Sequence, residues 1–187
     1  MIEAAWNTYV KIPLPWVRTL GPTYWASQRV GDPHGPEKYK TLQRESAVLL
    51  KAITAVATIN DSVLDVGSGT GRHLKALRRQ GFRHLYGLDV RPCRREAMFV
   101  APFETWLAHA VGTFDIIFTF GMTIELVPPS FPICHHMARL AKKGVVLMIQ
   151  ERGVPYPRLW KQEFAREGFT LTTYQPCNGN SLFVFER

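Results

Sequence analysis

One stretch constrains this chain more than any other: Ser62-Val-Leu-Asp-Val-Gly-Ser-Gly-Thr-Gly-Arg72. Val63, Leu64 and Val66 form a short apolar run, and Gly67, Gly69 and Gly71 follow it within five residues. Leu74 and Leu77 then recur at helical spacing. The pattern reads as strand, glycine turn, helix. Glycine has no Cβ, so a ligand can come close to the backbone there. The amide groups at the start of the following helix face that ligand. A nucleotide-like cofactor suits such a turn.

The rest of the chain arranges itself around this unit. Residues 37–58 contain neither glycine nor proline, and Leu42, Val48, Leu49, Ala52, Ile53 and Val56 mark one apolar face. This predicts a helix leading into the first strand, 62–66. The helix after the glycine turn should run over about 70–80 and end at Gly81. His84 to Asp89 reads as a second strand ending in an acid. A short basic segment around Pro92 follows, then a weak third strand over 97–101 and a short helix around Trp106 between residues 102 and 110. Phe114 to Phe120 is the clearest buried strand, an apolar run rich in β-formers. After Pro128 and Pro129 a helix is expected at about 130–142, closed by Lys142, Lys143 and Gly144. A strand over 145–149 and a helix over 157–167, ended by Gly168, come next. Two closing strands, 169–174 and 181–185, flank Asn178-Gly179, a hairpin signal. Strands alternating with helices imply a doubly wound, mostly parallel α/β sheet with helices on both faces. The closing pair makes the last strand antiparallel.

A length of 187 residues fits one domain. Residues 1–36 are crowded with tryptophan, proline and glycine, among them Trp6, Pro13, Pro15, Trp16, Pro22, Trp25, Pro33 and Pro36. They predict an irregular N-terminal cap on a domain spanning 37–187. A lid over a substrate and an arm covering core surface are both open readings of that cap. No apolar run approaches the roughly 18 residues of a membrane span, and Lys11, Pro13, Pro15 and Arg18 break any signal-peptide pattern. A cytoplasmic protein without a membrane partner is expected. Cys93, Cys134 and Cys177 lie far apart and form no Cys-x-x-Cys, so no metal site is assigned. The net charge of +8 suits an anionic acceptor or nucleic acid, or a basic surface with no specific partner. Arg91, Arg94 and Arg95 are its densest group.

The glycine turn departs from the dinucleotide pattern Gly-x-Gly-x-x-Gly. Gly67 and Gly69 fit, but Arg72 stands at the third position, and the actual order is Asp65-x-Gly67-x-Gly69-x-Gly71. Asp65 closes the first strand and Asp89 closes the second, 24 positions on. Both acids should open on the crevice at the carboxyl ends of the strands, where a carboxylate can take ribose hydroxyls.

Over residues 60–187 this arrangement resembles the class I S-adenosylmethionine-dependent methyltransferases. The resemblance implies strand order 3-2-1-4-5-7-6 and S-adenosylmethionine as cofactor. It places the glycine turn, Gly67, Ser68, Gly69 and Gly71, at the amino-acid end of the cofactor and Asp65 at its ammonium. Asp89 would hold the ribose hydroxyls, with Val90 beside it. Phe103 is the candidate adenine wall, with Glu104 next to it. His73 is placed to contact the cofactor. Thr119, near the end of the fourth strand, would face the transferable methyl. The segment between Asp89 and Asp115 is short for the family.

The loop after the fourth strand reads Thr119-Phe-Gly-Met-Thr-Ile-Glu125. It lacks the Asn/Asp-Pro-Pro-aromatic signature of nucleic-acid amino-methyltransferases, and no RNA-recognition motif is present. A small-molecule acceptor is therefore favoured over RNA or protein, and a binding module without turnover is a third reading. No catalytic residue is assigned. Candidate bases are His73, His109, Glu125, His135 and His136. Glu125 reads as a solvated loop acid, and His135 and His136 as a solvated pair on a helix.

Overall fold

The computed structural model describes residues 42–89, 97–101, 103–121, 124–152, 154 and 156–187. The N-terminal cap expected over 1–36 lies outside them, as do Val90 and the basic segment up to residue 96. The elements are α1 (Gln43–Val56), β1 (Ser62–Val66), α2 (Arg72–Arg79), β2 (His84–Asp89), β3 (Ala97–Val100) and α3 (Phe103–His109). They continue with β4 (Phe114–Phe120), a 3₁₀ turn (Ile124–Leu126), α4 (Ile133–Leu140), β5 (Ala141–Gln150), α5 (Trp160–Arg166), β6 (Thr170–Cys177) and β7 (Asn180–Glu186).

Seven strands form one sheet in the order β3-β2-β1-β4-β5-β7-β6, as expected. Neighbours from β3 to β5 are parallel. β7 runs antiparallel to both β5 and β6. The central strands are apolar on both faces because helices cover both. Side chains alternate across the sheet. Val63, Ile116, Phe118, Val146 and Met148 pack with Leu49 and Ile53 of α1 and Leu74 and Leu77 of α2. Leu64, Val66, Ile117, Val145 and Leu147 pack on the other face with Leu107, Met137 and Phe164 from α3, α4 and α5. Asn178 and Gly179, at φ 48° and 82°, make the hairpin turn between β6 and β7. Pro176 is tolerated because β6 is the edge strand.

The end of α4 differs from expectation. Lys142, Lys143 and Gly144 do not close a helix; α4 stops at Leu140 and they lie in β5. Tertiary contacts decide this. Lys143 Nζ reaches Asp61 Oδ1 at 2.5 Å and Asp115 Oδ1 at 3.7 Å. Gly144 stands where a Cβ would come within 3.1 Å of the Phe185 carbonyl oxygen. That glycine serves a close approach between strands, not a helix cap. Among the described residues, no helix is long and apolar enough to cross a membrane.

Candidate cofactor crevice

The crevice opens where β1 ends and the chain turns into α2. Gly67, Gly69 and Gly71 all have positive φ, at 77°, 55° and 72°. An L side chain in that region costs roughly 1–2 kcal/mol, which explains three glycines in one turn. The turn is tied to the neighbouring strand. The amides of Gly67 and Ser68 donate to the Leu88 carbonyl at 2.7 and 3.1 Å. The Gly69 amide donates to Asp89 Oδ2 at 2.8 Å. Asp89 is thus held against the glycine turn, and the two strand-end acids do stand together.

Asp65 is only 1% exposed. Among the described residues, neither of its carboxylate oxygens has a hydrogen-bond partner. Burial raises its pKa well above the usual carboxylate value, Asp89 adds to the rise, and Arg72 opposes it. A buried, unsatisfied carboxylate costs several kcal/mol. A cationic donor would relieve that cost.

His73, in the first turn of α2, is 5% exposed. Its ring lies 4.7 Å from that of Phe120 and edge-on to Phe118 at 6.2 Å. Its Nε2 is 3.2 Å from Ser46 Oγ. Burial, then the charge of Arg72, lowers its pKa to about 3. The imidazole is neutral near pH 7 and unsuited to act as a base there. The Arg72 guanidinium lies 5.0 Å over the Phe120 ring and donates to Ser46 Oγ at 3.2 Å. Ser46, Arg72, His73 and Phe120 therefore form one floor linking α1, α2 and β4. Of these, only His73 was anticipated, because the cluster joins residues distant in sequence.

Thr119 is fully buried, and its hydroxyl donates to the Val66 carbonyl at 2.8 Å. It fastens the carboxyl ends of β4 and β1 together. Phe103 begins α3, but its side chain, that of Glu104 and all of Val90 lie outside the described residues.

Glu125 is not a solvated loop acid. It is fully buried in the 3₁₀ turn and accepts the Gln150 amide at 2.9 Å. Its apolar neighbours Ile124, Leu126 and Val127 were the signal for this, since all three are buried with it. A small cavity of about 60 Å³ adjoins it, lined by Gln150, Glu151, Tyr156 and Arg158. Arg158 ties that region down: its guanidinium bonds Glu163 at 2.9 Å and the carbonyls of Pro128 and Phe131 at 2.8 and 3.0 Å. His135 sits on α4 at the surface, 3.0 Å from Glu167. His136 packs beside it against Phe131.

With this geometry in hand, the comparisons with known proteins are decisive for the family. Residues 37–181 match the model of a family described as a methyltransferase domain. The chain belongs to the class I S-adenosylmethionine-dependent methyltransferases. No curated protein matches the chain in sequence. Among solved structures, magnesium protoporphyrin IX methyltransferase from Synechocystis PCC 6803, with S-adenosylmethionine bound, is similar at TM-score 0.70 and 15% identity, covering 89% of this chain and 94% of that one. An amino pentose methyltransferase from Micromonospora echinaspora is similar at TM-score 0.64 and 16% identity, covering 86% and 99%. A 1,6-didemethyltoxoflavin-N1-methyltransferase from Burkholderia thailandensis is similar at TM-score 0.58 and 14% identity, covering 84% and 92%. At these identities the likeness is one of fold. This methyltransferase spans nearly the full length of each.

Proposed function

We propose that this methyltransferase transfers the methyl group of S-adenosylmethionine to a small-molecule acceptor lodged over the carboxyl ends of β1 and β4. The observation that carries the reading is Asp65, a buried carboxylate beside a three-glycine turn whose two oxygens have no partner among the described residues. The ammonium of S-adenosylmethionine matches that need in charge and in donors. Bound there, the cofactor supplies a sulfonium methyl that is already activated for displacement.

The chain's own residues bind, orient and exclude water. Asp65 accepts from the cofactor ammonium, and Gly67, Ser68, Gly69 and Gly71 let its amino-acid end approach the backbone. Asp89 takes the ribose hydroxyls, its carboxylate already oriented by the Gly69 amide. The neutral His73 and Phe120 form part of the floor where the acceptor meets the methyl. Thr119 fixes the two strand ends that frame it. Alignment of acceptor and methyl is the main catalytic task, and orientation alone supplies roughly 7–11 kcal/mol in favourable cases. The small-molecule class is supported by three of the similar structures, named for a magnesium porphyrin, an amino pentose and a toxoflavin precursor.

The test has two stages. Calorimetric titration should show saturable binding of S-adenosylmethionine by the wild type and its loss in Asp65→Ala. Methyl-labelled cofactor incubated with a metabolite extract, RNA and protein should label the metabolite fraction. Label appearing only in RNA or protein would overturn the acceptor class, and absence of cofactor binding would overturn the whole reading.

A further inference from the structure

The start of α2 serves the crevice, but its solvent side and the turn after it are basic. Lys75, Arg78, Arg79 and Arg83 are all exposed. The helix period places them: His73, Leu74 and Leu77 are buried, so Lys75 and Arg79, one turn apart, stand on the other side. After Arg79 the chain folds back, the amides of Gly81 and Phe82 bonding the Arg78 and Leu77 carbonyls. This keeps Arg83 next to the end of α2. Arg44 and Lys51 are exposed on α1, which packs on the same face of the sheet. The acids of residues 42–89 do not balance these charges. Glu45, Asp61 and Asp65 are buried, Asp61 is also paired with Lys143, and Asp89 is bonded to the Gly69 amide at the crevice. Among the described residues, the side chains of Lys75, Arg79 and Arg83 have no hydrogen-bond or ion-pair partner. The residues outside the described set carry more lysine and arginine than aspartate and glutamate. On the opposite face of the sheet the signs are mixed, with Lys161, Glu163, Arg166 and Glu167 in and next to α5.

Helix stability explains only part of this. Arg78 and Arg79, in the last turn, suit the helix dipole. Lys75 and Arg79 at i and i+4 repel each other, and Arg83 lies outside the helix. The surroundings narrow the partner. Basic helices that lie on anionic membranes carry large apolar residues beside the cations, and protein interfaces centre on aromatic or other apolar anchors. Among residues 42–89, Ile59 is the only exposed large apolar residue, and no phenylalanine, tyrosine or tryptophan is exposed. A phosphodiester backbone needs only fixed cations, and the arginine fork suits phosphate oxygens. Single strands want aromatic side chains to stack on, so a duplex fits better. RNA duplexes are met through backbone and shape, and this face offers backbone contacts alone. We propose that the basic outer side of α2 is a docking surface for the phosphate backbone of duplex RNA. The crevice opens at the first turn of α2, whereas Arg78, Arg79 and Arg83 lie at its other end. The docked RNA is therefore a partner distinct from the methyl acceptor, and its binding needs no cofactor.

A labelled RNA duplex of mixed sequence, followed by fluorescence polarisation in rising sodium chloride, tests this. The logarithm of the binding constant should fall linearly with that of the salt concentration. Its slope should be about −3 to −4 when the four cations meet phosphates, at roughly 0.9 per contact. The double variant Lys75→Gln/Arg79→Gln should weaken binding to every sequence and make the slope shallower by about 2. Its circular dichroism and S-adenosylhomocysteine affinity should match the wild type. Lys161→Gln/Arg166→Gln, the same loss of charge on α5, should leave the slope unchanged. Binding too weak to detect at low salt, or an equal loss in both double variants, overturns the inference. So does binding as tight or tighter to the matching DNA duplex, to polyglutamate or to phosphatidylserine vesicles. Failure to bind S-adenosylhomocysteine sinks the methyl-transfer reading and leaves this inference standing.

Discussion

Asp65→Asn separates the cost of the crevice from its use. In the free protein, Asp65 is 1% exposed with both oxygens unpartnered among the described residues, and its pKa is raised by burial and by Asp89. An acid with a raised folded-state pKa stabilises the fold most below its unfolded value, where it is protonated in both states. As pH rises from about 3.8 towards the folded value, the native state holds a proton that the unfolded state has released. Stability then falls by about 1.4 kcal/mol per pH unit. Above the folded value the penalty is constant. Asparagine has the same shape and no charge, so it removes the penalty. At pH 7 the variant should be more stable than the wild type by about 1.4 kcal/mol for each pH unit between the unfolded and the raised folded value. For a chain of this size that is about 2–4 °C in Tm per kcal/mol. The same change should weaken S-adenosylmethionine by about 1.5–3 kcal/mol, the worth of a hydrogen bond to a charged partner. That is roughly tenfold to a hundredfold in Kd. Urea denaturation across pH 4–8 reads the first effect, and calorimetric titration reads the second. A variant that loses stability yet keeps its cofactor affinity would refute the reasoning, because Asp65 would then be a structural acid.

Other consequences can be checked separately. His73 has a folded pKa near 3, so its contribution is present above about 6.5 and is lost as pH falls towards 3, at about 1.4 kcal/mol per unit; His73→Gln should remove that part of the acid slope in urea denaturation. This slope opposes that of Asp65 above pH 3.8, so the two variants should tilt the pH profile in opposite directions. Arg158→Ala should cost roughly 3 kcal/mol, the low end for breaking a buried charge pair, because Glu163 keeps partial access to solvent; chemical denaturation measures it. Gly71→Ala, at φ 72°, should lose about 1–2 kcal/mol and weaken S-adenosylmethionine binding, both read by thermal shift with and without cofactor.

The alternation of apolar runs and helical stripes, the glycine spacing and the closing Asn178-Gly179 pair are local signals. They located the strands, the helices and the hairpin, and the family resemblance they carry implied the sheet order. Asp65 and Asp89 lie at the carboxyl ends of their strands, so their placement follows from strand direction, while their roles toward the cofactor stay part of the proposal. The end of α4 was misread because Lys142, Lys143 and Gly144 imitate a helix stop. The partners that place them in β5, Asp61, Asp115 and Phe185, are remote in the chain.

The chain's own order of residues thus named the methyl donor, because the resemblance that implies it rests on a strand, a glycine turn and a helix that are consecutive in the chain. Tertiary structure alone decided the rest of the crevice. It joined Ser46 to Arg72 and His73 and buried Glu125, whose carboxylate accepts the Gln150 backbone amide. Burial and pairing are properties of what packs against a residue, and for these residues the packing comes from elements far along the chain.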